Sequence, residues 1–220
     1  MPETTVNEPE PANAPPVRFR PARANDMEAA LPLILSSGPD AFNYVFRTAR
    51  HTPEDFLRGA FVDGAGEFGY RNHVVGELDG RVVAAGAGWT STSNVPFMLA
   101  AARQFITILG LAATPPTIGR GLRTETVLRP PVKGEFYIGH LGVAPACRGQ
   151  GIGAALTMHL LARARDTGAH LAVLDAAVNN PRAAALYARL GFQVTAERPS
   201  SLRRAEGFVP GQRRMGRTVE

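Results

Sequence analysis

The amino-acid sequence predicts an α/β fold with a mixed sheet, and three features carry that expectation. Two β-rich runs between Asn72 and Thr90 meet at Asp79 and Gly80, a pair that tolerates the positive φ of a tight hairpin turn. A strand-like run from Glu135 to Val143 leads through a glycine-rich turn into an amphipathic helical pattern and then a second apolar run, His170 to Ala176. An apolar helical insert separates the hairpin from that unit, so strands and helices are interleaved along the chain. At 220 residues, 45% of them hydrophobic, the chain suits one domain with a sizeable core.

Taken in order, Met1 to Pro16 is acidic and proline-rich with no apolar core, unlike a signal or transit peptide. Residues 1–16 are therefore expected to form a disordered tail, and 17–220 the folded domain. Val17 to Pro21 alternates apolar and basic residues, as a short strand does. Asn25 and Asp26 offer caps for a helix through Met27, Leu31, Ile34 and Leu35, with Pro32 opposing its continuity. Thr52, Pro53 and Asp55 combine a capping hydroxyl, a proline at the first helical position and a first-turn acid, predicting a helix to about Phe61. Pro96 to Leu111 places Phe97, Ala101, Phe105 and Ile108 or Leu109 on one helical face, and Thr114 to Pro131 is a second, Pro/Gly-bounded insert. Helices are expected over Gly151 to Thr167 and Pro181 to Leu190, the latter ended by Gly191, with a closing strand within Phe208 to Val219.

Composition narrows the function classes. Cys147 is the sole cysteine, so neither a disulfide framework nor a cysteine metal cluster can form within the chain, and a cytoplasmic location is expected. No His, Cys or carboxylate cluster has metal-ligand spacing, and no metal is expected. The apolar run Val95 to Ala113 carries Arg103 and Gln104 at its centre, which argues for a water-soluble helix and against a membrane partner. The net charge of +5 is concentrated from Arg182 onward, with eight arginines against three acids, and lacks the interleaved aromatics of a nucleic-acid surface. Solvated surface arginines are expected there, with no nucleic-acid partner.

Chemistry concentrates after Val143. Residues 144 to 154, Ala-Pro-Ala-Cys-Arg-Gly-Gln-Gly-Ile-Gly-Ala, precede a helix with Ile152, Leu156, Leu160 and Ala164 on one side. Glycines at 149, 151 and 153 admit a close ligand, and a helix start supplies unpaired N–H groups and the positive end of the dipole. Arg148 adds a cation. The absence of Gly-Lys-Ser/Thr excludes a Walker loop. Gly149, Gly151 and Ala154 also satisfy a dinucleotide fingerprint, with Asp175 ending the next strand where a ribose-binding acid would sit. The five residues from Ala144 to Arg148, and the short chain left after Asp175, count against that oxidoreductase alternative.

Leu141-Gly-Val-Ala-Pro followed by Arg148-Gly-Gln-Gly-Ile-Gly-Ala resembles motif A of the GNAT superfamily of acetyltransferases. Asn179-Asn-Pro-Arg-Ala-Ala-Ala-Leu-Tyr-Ala-Arg-Leu-Gly-Phe192 resembles its motif B, in the right order and spacing. The resemblance covers about Glu135 to Val194 and implies a single GNAT-type α/β domain, its mixed, mostly antiparallel sheet flanked by helices and a helical insert placed before the acyl-CoA-binding strand, that uses acetyl-CoA to acetylate a primary amine of a small molecule or peptide by direct attack. It implies that the backbone of Leu141, Gly142 and Val143 pairs with the pantetheine arm at a bulge that Gly139 and Gly142 permit. The amides of Arg148, Gly149, Gln150, Gly151, Ile152, Gly153 and Ala154 would hold the pyrophosphate, and Asn180 would reach a pantetheine amide. Tyr187 stands at the family's general-acid position; as an ordinary core tyrosine it would pack on Phe192. Asp175 matches a glutamate base of ribosomal-protein N-terminal acetyltransferases, five residues before the matching asparagine, and could equally cap a strand end. His140, on the face opposite Leu141, has a side chain suited to proton relay, although a lone histidine is more often structural. Glu135 at the strand entrance is expected to be solvated, His73 and Glu77 to be surface or partly buried strand residues, and Cys147 an incidental thiol. A non-catalytic acyl-CoA-binding module stays open as a second reading. The apolar insert makes a homodimer a candidate assembly.

Overall fold

The computed structural model describes residues 17–219, so the expected tail at 1–16 lies outside the described residues. Strand β1 (Arg18–Pro21) is followed by α1 (Met27–Ser36), α2 (Pro39–Phe46) and α3 (Pro53–Asp63). Asp26 acts one turn earlier than expected: its carboxylate accepts the Arg23 N–H at 2.7 Å and caps a short 3₁₀ turn ahead of α1, which accommodates Pro32. Helix α3 begins as the sequence implies, with Thr52 Oγ1 accepting from Asp55 N and Asp55 Oδ2 accepting from Thr52 N, and it ends at Gly64 with φ +79.

Helix α2 has no sequence signal beyond Pro39, and the structure shows why it forms. It buries Phe42, Tyr44, Val45 and Phe46, and its last carbonyls are capped from remote chain. Arg120 Nε donates to Val45 O at 2.8 Å, and Arg204 donates to Tyr44 O and Arg47 O at 3.1 Å each. Phe46 stacks on Phe56 at 4.2 Å, and Phe42, Phe61 and Phe105 complete an aromatic core between these helices and the sheet. Each such ring contributes on the order of 1.5–3 kcal/mol by leaving water.

The expected hairpin is β2 (His73–Leu78) and β3 (Arg81–Thr90), turned at Asp79 and Gly80 with φ +50 and +73. The insert then forms α4 (Asn94–Gln104), a π turn over Phe105–Leu109, and α5 (Thr114–Thr124). The π turn leaves Gln104 buried, its amide donating to Asp63 Oδ2 and Ala65 O. Phe105 and Leu109 face the core as expected, whereas Val95, Met98, Leu99 and Ile106 are exposed. In α5 the prolines fall in the first turn, where no N–H is needed, so the Pro/Gly-bounded second insert is helical over Thr114–Thr124.

Strand β4 (Glu135–Val143), α6 (Ile152–Arg165), β5 (Leu171–Ala177) and α7 (Pro181–Arg189) follow. The chain closes with β6 (Gln193–Arg198), the short hairpin β7 (Arg203–Arg204) and β8 (Gly207–Phe208), and β9 (Gln212–Thr218). The seven-stranded sheet has the order β1-β2-β3-β4-β5-β9-β6, and only β4 and β5 pair in parallel. Helices α6 and α7 cover one face over Ile138, Leu174 and Phe192, and α1 to α3 cover the other. The basic C-terminal segment is largely consumed inside this framework. Arg214 is buried, Arg204 caps α2, Arg213 pairs with Glu197 and Arg217 donates to Leu190 O, which corrects the expectation of merely solvated arginines.

Candidate active site

The cleft arises where the parallel pair, β4 and β5, fails to continue. Glu135, Phe136 and Tyr137 pair with Leu171, Ala172 and Val173, and beyond Tyr137 β5 keeps only its β9 partner. From Ile138 to Val143 the β4 edge facing β5 is left without a strand, so its peptide groups can accept an extended ligand as a strand would be accepted. A bulge lies within this open edge. Gly139 stands opposite Ala87 and Gly142 opposite Ala85, so His140 and Leu141 together face Gly86. The sequence reading assigned this bulge to the two glycines, but the positive φ, +55, belongs to His140. Gly142 has another reason to be glycine: a Cβ there would overlap the Leu33 carbonyl of α1. Leu141 points toward Leu156 and Leu160 of α6, while His140 turns to the opposite face.

The Arg148–Ala154 turn presents what an anion needs. Cys147 N donates to Ala144 O and Arg148 N to Pro145 O, and the next bonded amide is Ala155 N, to Gly151 O. The intervening amides, Gly149 to Ala154, have no backbone acceptor among the described residues. Gly149 and Gly151 both adopt φ +79, and a Cβ at Gly149 would meet nothing within 4 Å, so the loop opens to solvent. No acid sits in the first turn of α6 to oppose a phosphate. Arg148 is exposed, its Nε anchored on Val143 O at 3.0 Å at the strand end. Gln150 donates to Ala146 O at 3.3 Å, stiffening the turn. The loop therefore offers the unbonded amides, helix start and cation that a phosphate-bearing ligand needs.

Helix α7 borders this loop, with Leu186 packed against Gly153. Asn180 caps it, Oδ1 accepting from Ala183 N at 3.1 Å, which leaves only the amide NH₂ to reach a ligand. Tyr187 is buried and lies edge-on to Phe192 with ring centroids 6.2 Å apart. Its hydroxyl has no hydrogen-bond partner among the described residues, nor is it one of the sealed, unpaired atoms, which are Asp175 Oδ1 and Arg198 Nη1. Burial pushes the phenol up to about 12, so it stays protonated at neutral pH.

Asp175 sits in a buried ionic cluster that sequence spacing did not foretell. Its Oδ2 accepts from Tyr137 OH at 3.0 Å and from Arg214 at 3.2 Å, and Oδ1 lies 3.7 Å from Arg198. Burial raises the carboxyl, against the pull of Arg214 and the other donors. Glu135, expected to be solvated, is instead paired with Arg214 at 2.7 Å and mostly buried. Glu77 is remote, paired with Arg20.

His140 joins a second polar group. Its Nδ1 lies 3.2 Å from His73 Nε2, and its Nε2 lies 3.2 Å from Glu67 Oε1. His73, read from sequence as surface or partly buried, is fully buried and its Nδ1 donates to Gly69 O at 2.9 Å. Desolvation, and then the neighbouring His140, lower His73 to about 3, so it is neutral. Glu67 went unnoticed in the sequence, since it stands in a turn with no motif. Its one local signal is the run Gly64, Gly66 and Gly69, which betrays a tightly folded loop. Among the described residues no group of three or more His, Cys, Asp and Glu is placed to hold a metal ion, and no helix is long and apolar enough to cross a membrane.

The model of the acetyltransferase (GNAT) family matches residues 42–192, well over half the chain and both segments of the cleft. The chain belongs to the GNAT acetyltransferase family. Membership makes acetyl-CoA the acyl donor and sets aside the dinucleotide fingerprint as a formal coincidence of glycines. Among solved structures, an N-acetyltransferase from Staphylococcus aureus Mu50 superposes with a TM-score of 0.65 at 19% identity, covering 91% of this chain and 100% of that one. A Salmonella typhimurium protein, yncA, solved with its cofactor acetyl-CoA, gives 0.54 at 19% identity over 93% of this chain and 94% of that one. At these identities the likeness shows the shared GNAT fold. A mycothiol acetyltransferase from Parafrankia sp. is 45% identical over 74 residues, 34% of this chain and 22% of that protein. The chain spans about a fifth of the length of the curated relatives it matches.

Proposed function

We propose that this GNAT protein transfers the acetyl group of acetyl-CoA to a primary amine of a small molecule or peptide by direct attack, without an acyl-enzyme. The observation that carries the reading is the open β4 edge beside a turn of unbonded amides, with an unpartnered phenol on the helix that closes it. Leu141 to Val143 would take the pantetheine arm, the Gly149 to Ala154 amides the pyrophosphate, and the Asn180 NH₂ a pantetheine amide. The acetyl thioester supplies the electrophile. Tyr187, protonated and unpartnered, is the donor for the departing sulfur.

Two side chains compete as proton acceptor. Asp175 is held by Tyr137, Arg214 and Arg198, so its geometry favours organising the splay between β4 and β5. His140, on the bulge itself, is better placed for proton transfer. Glu67 and Glu125 set two carboxylates near each other on the acceptor side, Glu125 being raised by partial burial and then by Glu67, which suits an acceptor arriving as an ammonium. The acceptor named for the mycothiol relatives is not carried over, because matches of 62–74 residues cannot include both helical segments, Asn25–Arg58 and Pro96–Pro131, that shape this side. The exposed Val95, Met98 and Leu99 support a homodimer, which sedimentation would test.

The deciding experiment follows thiol release from acetyl-CoA over simple amines, polyamines, aminoglycosides and peptide N-termini. Amine-dependent release with an acetylated product is expected. Retention on immobilised acetyl-CoA with no release from any acceptor would replace this reading by the silent binding module.

A further inference from the structure

We propose that Glu67, His140 and His73 form a proton relay that deprotonates the acceptor amine, with Glu67 as its solvent-facing end and His73 as a positioning residue. The inference rests on the acetyltransferase reading and deepens it. The direction of the chain follows from donors and acceptors once His73 is neutral, the state its full burial enforces. Gly69 O can only accept, so His73 Nδ1 carries its hydrogen, and the neutral ring leaves Nε2 as a lone pair. The bond to His140 is then donated by His140 Nδ1. That leaves His140 Nε2 aimed at the Glu67 carboxylate, with room for one transferable proton between them at 3.2 Å.

The surroundings hold this arrangement rather than tolerate it. Phe68 stacks on the His140 ring at 4.9 Å, and Trp89 lies 5.7 Å away, so the ring cannot turn freely. The Glu67 backbone is pinned by Asn72 Nδ2 donating to its carbonyl at 2.8 Å, within a turn closed by Gly69 N to Gly66 O. Gln104 fixes the preceding Ala65 carbonyl. His140 keeps φ +55 although histidine gains nothing there unless its side chain is wanted on this face. Glu67 is 41% exposed at its side chain and His140 11%, so protons enter and leave through the carboxylate.

The proton balance closes. Of the three ammonium hydrogens, one passes to the Glu67–His140 pair and then to water, one reaches the leaving sulfur by way of Tyr187, and one remains on the amide nitrogen. The N–C bond forms as the C–S bond breaks. The charged and titratable groups facing the pair are His73 on β2, Tyr137 on β4 with Asp175 behind it, and Glu125 after α5.

Glu67→Gln keeps the size and loses the proton acceptor. Expected is a roughly 100-fold lower kcat at neutral pH, unchanged acetyl-CoA affinity and unfolding midpoint, and a deficit that shrinks as rising pH deprotonates the amine in solution. Ring ¹⁵N shifts of the ligand-free protein should show His73 protonated at Nδ1 only and His140 protonated at Nδ1. Wild-type kcat in Glu67→Gln, a deficit constant with pH, or the opposite His73 tautomer would each overturn the relay while leaving the transferase reading intact. Wild-type protein inactive on every amine would overturn the transferase reading and the relay with it.

Discussion

Removing the Tyr187 hydroxyl separates chemistry from folding, because the structure gives that oxygen nothing to do in the resting protein. The ring is packed on Phe192 and stays in Tyr187→Phe, and no hydrogen bond is lost, so stability should change by less than about 0.5 kcal/mol. Acetyl-CoA affinity should hold, since the cradle is made of amides on α6 and the β4 edge. The rate should not hold. A phenol raised to about 12 by burial is protonated throughout the working range and is a competent donor to a thiolate. General acids contribute roughly 10²- to 10⁴-fold, a barrier increase of about 3–5 kcal/mol when one is deleted. Single-turnover thiol release isolates this step, with calorimetric acetyl-CoA binding and thermal unfolding as controls. An unchanged single-turnover rate, or equal losses of rate and affinity, would refute the assignment.

Other perturbations test the cradle and the frame. Gly151 has φ +79 at the start of α6, so Gly151→Val should raise the acetyl-CoA Kd by at least about tenfold through backbone strain of about 1–2 kcal/mol and lost access; undiminished binding in calorimetry would end the pyrophosphate assignment. Gly142→Ala drives a methyl into the Leu33 carbonyl, and urea denaturation should show a loss of about 1–3 kcal/mol as α1 is forced off β4. Asp175→Ala leaves Arg198 without a carboxylate and Arg214 with Glu135 alone, and should cost about 3 kcal/mol, so a variant of full stability would contradict the buried cluster. His73 sits near 3 in the folded protein against 6.5 in the open chain, so its contribution is complete above 6.5 and is lost as pH falls toward 3. Urea midpoints across that window should show a slope component of about 1.4 kcal/mol per pH unit that is absent in His73→Gln.

Much of the donor side could be read directly, because it depends on local backbone rules. Glycines that allow positive φ, a helix start with unbonded amides, and the order strand, turn, helix, strand are properties of consecutive residues, so the Arg148–Ala154 turn and the helix after it were legible in the sequence, whereas Asn180 and Tyr187 were singled out only by the resemblance of Asn179–Phe192 to motif B. The same locality made the β2–β3 hairpin and the α3 capping box legible. Tertiary structure decided everything that needed a distant partner. Helix α2 exists because Arg120 and Arg204 close its end, Asp175 is enclosed because Arg198 and Arg214 arrive from β6 and β9, and Glu135 is buried by the same arginine. His73 and Glu67 acquire meaning only when β2, β4 and the loop between α3 and β2 converge on His140. A buried polar contact depends on two residues whose separation along the chain carries no information about their separation in space, so the cradle was written in one segment and the acceptor side only in the fold.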